Sequence, residues 1–202
     1  MRLDRRPVAR RWLAAALLMV ASGSSWALAV DELMTVLSQR KSGEARFTEE
    51  RTVSGLDAPL RASGTLSFTA PDRFARHTLE PRPESMEVQG NTVLLRRGSR
   101  SRQMALDTVP ELAALADAMR GTLNGDRTTL QRHFRVDVAG NAGKWTMTLT
   151  PLDIRLAGQV RLVEIAGENA DVRSIDLRLD GGDRSLMRIE TVTSAAPRAS
   201  AP

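Results

Sequence analysis

The sequence predicts a mainly β protein with a few helices, in which one strongly curved antiparallel sheet of about ten or eleven strands embraces two or three helices. Strand-like alternation of apolar and polar residues fills most of the chain, one helical stripe interrupts it, and no linker or repeat divides it. Segment 60–70 shows the alternation best. Its apolar side comprises Leu60, Ala62, Gly64, Leu66, Phe68 and Ala70, and its polar side Arg61, Ser63, Thr65, Ser67 and Thr69. A sheet with one apolar face must have that face covered.

Residues 1–29 have the pattern of a secretory signal peptide. Arginines precede the apolar run from Trp12 to Ala21, and Ala27, Leu28 and Ala29 form a cleavage site. Ten apolar residues span only about 15 Å as a helix, against a hydrocarbon core of roughly 30 Å, so a retained anchor is not expected. We predict cleavage near Ala29 and the periplasm of a Gram-negative bacterium as the compartment.

The charge of the mature chain is nearly balanced. The signal contains five of the 29 basic residues and one of the 24 acidic ones, which leaves 24 against 23. This balance does not support nucleic-acid binding. Cysteine is absent, which excludes disulfides and a lipidated N-terminal cysteine, and we expect a freely soluble monomer with one core. The small-residue segment 194–202 is predicted to be a disordered tail after a domain spanning 30–193.

The first half of the mature chain begins with a short helix and continues as strands. Leu33, Met34 and Leu37 share one face of a helix predicted at 31–40. Strands are predicted at 45–53, 60–70, 74–79, 85–88, 92–96 and 102–106. Pro71-Asp72 forms a turn, and Pro81 and Pro83 break the sheet, because proline cannot donate to a strand ladder.

A helix interrupts the strands after Asp107. Pro110 suits its first turn and Asn124-Gly125 its end, and Asp126 is a candidate cap for a further turn. Its apolar stripe comprises Leu112, Leu115, Ala116, Met119 and Leu123. Strands then follow at 134–138, 145–150, 159–165, 172–179 and 185–192, and a Gly-Gly hairpin signal at 180–183 joins the last two.

Residues for catalysis are scarce. His77 and His133 are the only histidines, and a metal shared by His77 and Glu80 is much less common than a solvent-facing pair of this kind. No G-x-S-x-G, phosphate-loop or dinucleotide motif occurs, and the serines of 98–102 lack a positioned base. We predict that the protein is not an enzyme and has no catalytic residues, metal or cofactor.

Six short motifs follow one another along the chain. They are F-x-E at 47–49, G-x-L-x-F at 64–68, P-x-x-F at 71–74, P-x-P at 81–83, a G-N turn at 90–91 and L-x-P at 149–151. In order and spacing they resemble the LolA-type outer-membrane lipoprotein carriers over most of residues 30–193. The resemblance implies an unclosed antiparallel β-barrel with a helical lid over an apolar cavity that receives the acyl chains of a lipoprotein.

The same resemblance suggests which residues and partners are involved. The candidates for the lipid-binding cavity are Phe47, Leu66, Phe68, Phe74, Met86, Met104, Phe134, Trp145, Met147 and Leu149. Those for the lid helix are Leu112, Leu115 and Met119. The expected partners are an acylated lipoprotein or another lipid-linked cargo, an inner-membrane release complex and an outer-membrane acceptor. The methionines suit an adaptable lipid surface, although each could also be ordinary core filler.

One position departs from the pattern of the carriers. They have an arginine directly before the proline of P-x-x-F, where it helps to latch the lid, and this chain has Ala70. Arg73 and Arg76 are near, but the strand phase is taken to point both away from the apolar face. Three interpretations remain: a carrier of lipoproteins or another lipid-linked molecule, a sensor or interaction module for acylated proteins, and, less favoured, a hydrolase.

Overall fold

The computed structural model describes residues 29–192, so the predicted signal peptide up to residue 28 and the predicted tail lie outside the described residues. Four α-helices are described: α1 Val30–Leu37, α2 Pro110–Asn124, α3 Arg127–Gln131 and α4 Ile154–Ala157. The strands are β1 Ser42–Thr52, β2 Leu60–Thr69, β3 Arg73–Glu80, β4 Glu84–Gln89, β5 Thr92–Arg97, β6 Arg100–Ala105, β7 Phe134–Asn141, β8 Lys144–Pro151, β9 Val160–Glu168, β10 Asp171–Leu179 and β11 Arg184–Thr191.

The strands form a single antiparallel sheet. Their order is β6-β5-β4-β3-β2-β1-β11-β10-β9-β8-β7, so the chain runs outward to one edge, crosses through the helices and returns from the other edge. The first and last strands pair in the middle, and the edge strands β6 and β7 do not pair with each other. The sheet is therefore not closed, which confirms the predicted fold class and strand number.

Local sequence signals account for most element boundaries. Helix α2 begins at Pro110 and is followed by Gly125, whose φ of 65° is left-handed, as a glycine C-cap permits. The carboxylate of Asp126 accepts the Thr129 N–H at 3.1 Å and caps α3, as predicted. Helix α4 was not predicted, although the Asp153 carboxylate caps it by accepting two backbone N–H groups.

The buried apolar side chains form two cores on the face of the sheet that carries the helices, which we term the inner face. The large core comprises Leu33, Met34, Leu37, Ala114, Ala118, Leu130, Phe134, Trp145, Met147, Leu149, Leu156, Val160, Val163 and Ile165. The small core comprises Val88, Val93, Leu106 and Ala116. Helix α2 contributes to both cores and lies between them.

Candidate functional site

The strand register shows how side chains are arranged on the inner face of β2 to β6. Directly opposed residues of antiparallel strands share a face, so a chain of pairs defines a row across the sheet. The first row is Phe68, Phe74, Val88, Val93 and Met104, which is wholly apolar and packs towards α2 through the small core. The second row is Leu66, Arg76, Met86, Leu95 and Arg102. The third row is Gly64, Thr78, Glu84, Arg97 and Arg100.

Arg76 points onto the inner face, so the prediction that it points away was wrong. It opposes Leu66 in the second row, and its guanidinium carbon lies 4.6 Å from the ring centroid of Phe47. Arg76 is two residues from Phe74, and with period two both must share the apolar face. Arg73 opposes Thr69 and donates to Gln89 on the other face, as predicted.

A buried carboxylate lies beside Arg76 on β1. Glu49 is 6% exposed and accepts hydrogen bonds from Arg76, from the Ser185 hydroxyl at 2.5 Å and from Arg51 at 3.2 Å. Burial would raise the pKa of Glu49, but the hydrogen bonds from Ser185 and Arg76 outweigh it and hold the pKa below its ordinary value. We call Glu49, Arg51, Arg76 and Ser185 the Glu49 cluster. In the sequence, the only sign of this cluster was that Glu49 is the glutamate of the F-x-E motif.

The structure divides the ten candidate cavity residues into three sets. Leu66, Phe74, Met86 and Met104 are half-buried in the first two rows. Phe47 and Phe68 are buried near the middle of the sheet. Phe134, Trp145, Met147 and Leu149 lie in the large core with at most 1% of their surface exposed. The last set is reachable only if helices leave the sheet, whereas the first set already borders solvent.

Helix α2 meets the two cores mainly through small side chains. Its buried residues are Ala114, Ala116, Ala118, Gly121 and Thr122. The three candidate lid residues are half-buried, with Leu112 packed against the small core and Leu115 against the large core. A Cβ added at Gly121 would lie 2.6 Å from the Leu130 side chain, so α2 and α3 approach too closely for any larger residue there. Sequence reasoning selected large side chains as lid residues; it placed Ala116 in the apolar stripe but overlooked Ala114 and Ala118.

Polar groups attach α2 to two turns of the sheet. The Arg120 guanidinium donates to the Gly90 carbonyl in the β4–β5 turn. The Asn124 amide donates to the Pro71 carbonyl in the β2–β3 turn at 2.6 Å. Asp117 accepts a hydrogen bond from Arg120 at 3.1 Å, and its other oxygen lies 3.2 Å from Nε2 of His133. Ala70 cannot act as a latch, but Arg120 and Asn124 of α2 donate hydrogen bonds that attach the helix to the sheet. Sequence reasoning missed them because arginine and asparagine are common on any helix surface.

Two grooves lie on the surface. One of about 390 Å³ is lined mainly by outer-face residues such as Glu50, Arg61 and Arg188 and also by Glu49 and Ala62, and one of about 190 Å³ is lined by Ser67 and Arg73 among others. Within residues 29–192, no cluster of histidines and acidic side chains suits a metal ion. Over the same range, no helix is both long and apolar enough to cross a membrane.

The sequence matches, over residues 22–201, a family described as outer membrane lipoprotein carrier protein LolA-like. A comparison with curated proteins gave no match. The fold is similar to that of a LolA superfamily protein from Nitrosomonas europaea, at 10% identity over 80% of this chain and 90% of that chain, with a TM-score of 0.42. It is also similar to an outer membrane lipoprotein-sorting protein domain from Vibrio parahaemolyticus, at 9% identity over 83% and 93% of the two chains, with a TM-score of 0.42.

Proposed function

Because the chain belongs to the LolA-like outer membrane lipoprotein carrier family, we propose that its inner face binds the acyl chains of a lipoprotein or another lipid-linked molecule. The apolar side chains of the first two rows form the surface that binds them, and α2 is the movable cover. The protein is a binding protein of the periplasm and not a catalyst. It receives its cargo at the inner membrane and delivers it to the outer membrane.

The observation that carries the proposal is the half-exposed apolar surface on β2 to β6. Leu66, Phe74, Met86 and Met104 are only half-buried, and Leu95 is 36% exposed. An ordinary core would seal such side chains, because each buried methylene is worth about 0.8 kcal/mol. Methionine and leucine also adapt to a disordered hydrocarbon better than rigid rings do. The surface is therefore suited to a guest with a flexible chain.

The composition of α2 is compatible with its displacement. The side chains that it buries fully are alanine, glycine and threonine, so lifting α2 exposes about one methyl group for each alanine, together with the core-facing parts of the half-buried Leu112 and Leu115. A long acyl chain gains on the order of 10 kcal/mol of gross burial at about 0.8 kcal/mol per methylene. Competition between α2 and the acyl chain for one surface lowers the net affinity, which permits release at the acceptor.

Leu66→Glu tests the binding surface. A tripalmitoylated peptide serves as a lipoprotein mimic, and its co-elution with the protein in gel filtration measures binding. We expect the variant to fold, because Arg76 opposes position 66 and can pair with the new carboxylate, but to lose binding at least tenfold, because a charge then interrupts the apolar surface.

Ser67→Glu is the matched control, since it places the same charge on the outer face of the same strand. It should bind the peptide as the unaltered protein does. Unaltered binding by a folded Leu66→Glu variant would show that the acyl chains lie elsewhere.

Transfer between membranes needs a separate measurement. Release of a labelled lipoprotein from spheroplasts into the soluble fraction, followed by its incorporation into outer-membrane vesicles, reports the complete transport step. Purified protein should support both stages, and Leu66→Glu should support neither.

A further inference from the structure

The inner face of β3 to β6 changes from apolar to cationic along the strands. The first row has no polar side chain. The second row contains leucine and methionine together with Arg76 and Arg102, and the third contains Arg97 and Arg100. Rows on one face are two residues apart, or about 7 Å. The change therefore takes place within roughly 14 Å, which is a distance one amphiphile can bridge.

Most acidic groups on this surface are already paired. Glu49 is occupied within the Glu49 cluster. Glu84 forms a two-point bond with Arg97, at 2.8 Å to the Nε and 3.0 Å to the Nη2. Among residues 29–192, neither Arg100 nor Arg102 has a carboxylate partner. The third row and the end of the second row therefore carry an excess of positive charge beside exposed leucine.

The outer face of the same hairpin lacks this excess. Arg96 on β5 points to the outer face and forms a salt bridge with Glu87 of β4. If the arginines served only to keep an exposed hairpin soluble, there would be no reason for the unpaired Arg102 to lie opposite Leu95 on the inner face. Their placement instead matches a ligand that is apolar at one end and negatively charged at the other.

We propose that Arg100, at the β6 end of the third row, and Arg102, at the β6 end of the second row, bind the anionic headgroup of an amphiphile whose acyl chain lies on the first row. This inference rests on the proposed function and specifies its ligand as acidic. Arginine suits the role because its planar, permanently charged fork matches the oxygens of a phosphate or carboxylate.

Three probes separate the acyl chain from the charge. 1-Palmitoyl lysophosphatidate carries both, 1-palmitoyl glycerol carries the same chain without the phosphate, and glycerol 3-phosphate carries the phosphate without the chain. Binding of each to the mature protein is measured by calorimetry below the micellar concentration. We expect lysophosphatidate to bind on the order of tenfold more tightly than palmitoyl glycerol, with a preference that declines at high salt.

The double variant R100Q/R102Q should remove the preference and leave the affinity for palmitoyl glycerol unchanged. R46Q/R96Q is the matched control, because it removes the same charge from the outer face and should retain the preference. Equal affinity for the two lipids, or a preference that survives in R100Q/R102Q, would overturn the headgroup site and leave the proposed function standing. Tight binding of glycerol 3-phosphate would also overturn it, and failure of both lipids to bind would overturn both proposals.

Discussion

The two halves of the sheet carry similar apolar side chains but differ in how these are covered. In the sealed half, β7 to β9, helices α1, α3 and α4 lie against the strands, and Met147 and Leu149 are 0% exposed. In the open half, β3 to β6, Met86 and Met104 are only half-buried. The same alternating pattern thus gives a buried core where helices α1, α3 and α4 cover the strands and a partly exposed apolar surface where they do not.

The two halves also differ in the rigidity of their apolar side chains. Phe134 and Trp145 are fixed in the sealed half, where the indole N–H of Trp145 donates to the Asn169 carbonyl at 2.9 Å. The exposed apolar side chains of the open half are mainly methionine and leucine. Phe74 is the one aromatic residue that β3 to β6 contribute to the first row. Rigid rings with a bonded polar end favour a unique packing, whereas flexible side chains tolerate a change of partner.

Truncating one methionine in each half should give the largest stability contrast. Met147→Ala creates a cavity in the large core and is expected to lower the free energy of unfolding by about 2–5 kcal/mol. Met104→Ala removes a half-buried side chain and should cost about 1 kcal/mol, which is below the range for fully buried methionines because less apolar surface is lost from the core. Urea denaturation measures both.

Lipid binding should show the reverse order, with Met104→Ala weakening it more than Met147→Ala. A Met104 variant as destabilised as the Met147 variant would mean that the open half is an ordinary core, and the contrast between the halves would disappear.

A smaller effect is expected at the Glu49 cluster, where the two halves meet. The folded-state pKa of Glu49 lies below its ordinary value of 4.5, so its contribution to stability is fully present above about pH 4.5 and is lost as the pH falls through the folded-state pKa. Glu49→Gln should therefore cost about 1–3 kcal/mol at neutral pH and progressively less in acid. Unfolding curves from pH 7 to pH 3 test this, and a difference that stays constant with pH would contradict it.

The sequence was sufficient for the sheet because local patterns determine strands and turns. Phe134, Val136 and Val138 alternate in β7, and Pro110, Gly125 and Asp126 mark helix ends, so these elements were predicted correctly. Helix α4 was missed because four residues are too few for a visible period.

The candidate site was less predictable, because it depends on pairing between distant strands. The register that places Arg76 beside Leu66 also determines that it reaches Glu49, 27 residues away. Most small residues of α2 were overlooked for a related reason. Alanine gives a weak signal in sequence, so Ala116 was placed in the apolar stripe but not among the lid residues, and only the approach of α2 to both cores shows that Ala114 and Ala116 are contact residues.

Helix α2 should be easier to displace when its attachment to the open half is removed. Arg120→Ala abolishes the bond to Gly90 and should cost about 1 kcal/mol of stability. If the covered state competes with the lipid, as proposed, that loss should raise the apparent lipid affinity by up to about fivefold.

Arg127→Ala is the control for the sealed half, since Arg127 of α3 binds Asp31 of α1 at 2.8 Å. It should leave lipid affinity unchanged. If Arg120→Ala lowers stability without raising affinity, α2 does not compete with the lipid.

The smallest expected effect is spectroscopic, and it distinguishes the halves directly. Trp145 is the only tryptophan of residues 29–192, and it lies in the large core at 1% exposure, so its fluorescence should not change when the tripalmitoylated peptide saturates the protein. A second tryptophan introduced as Leu95→Trp, at a position that is 36% exposed in the second row, should add emission that shifts to the blue on binding, because an acyl chain replaces water around the ring. A shift of Trp145 itself would mean that lipid enters beneath α1 and α4, and the sealed half would then belong to the binding surface as well.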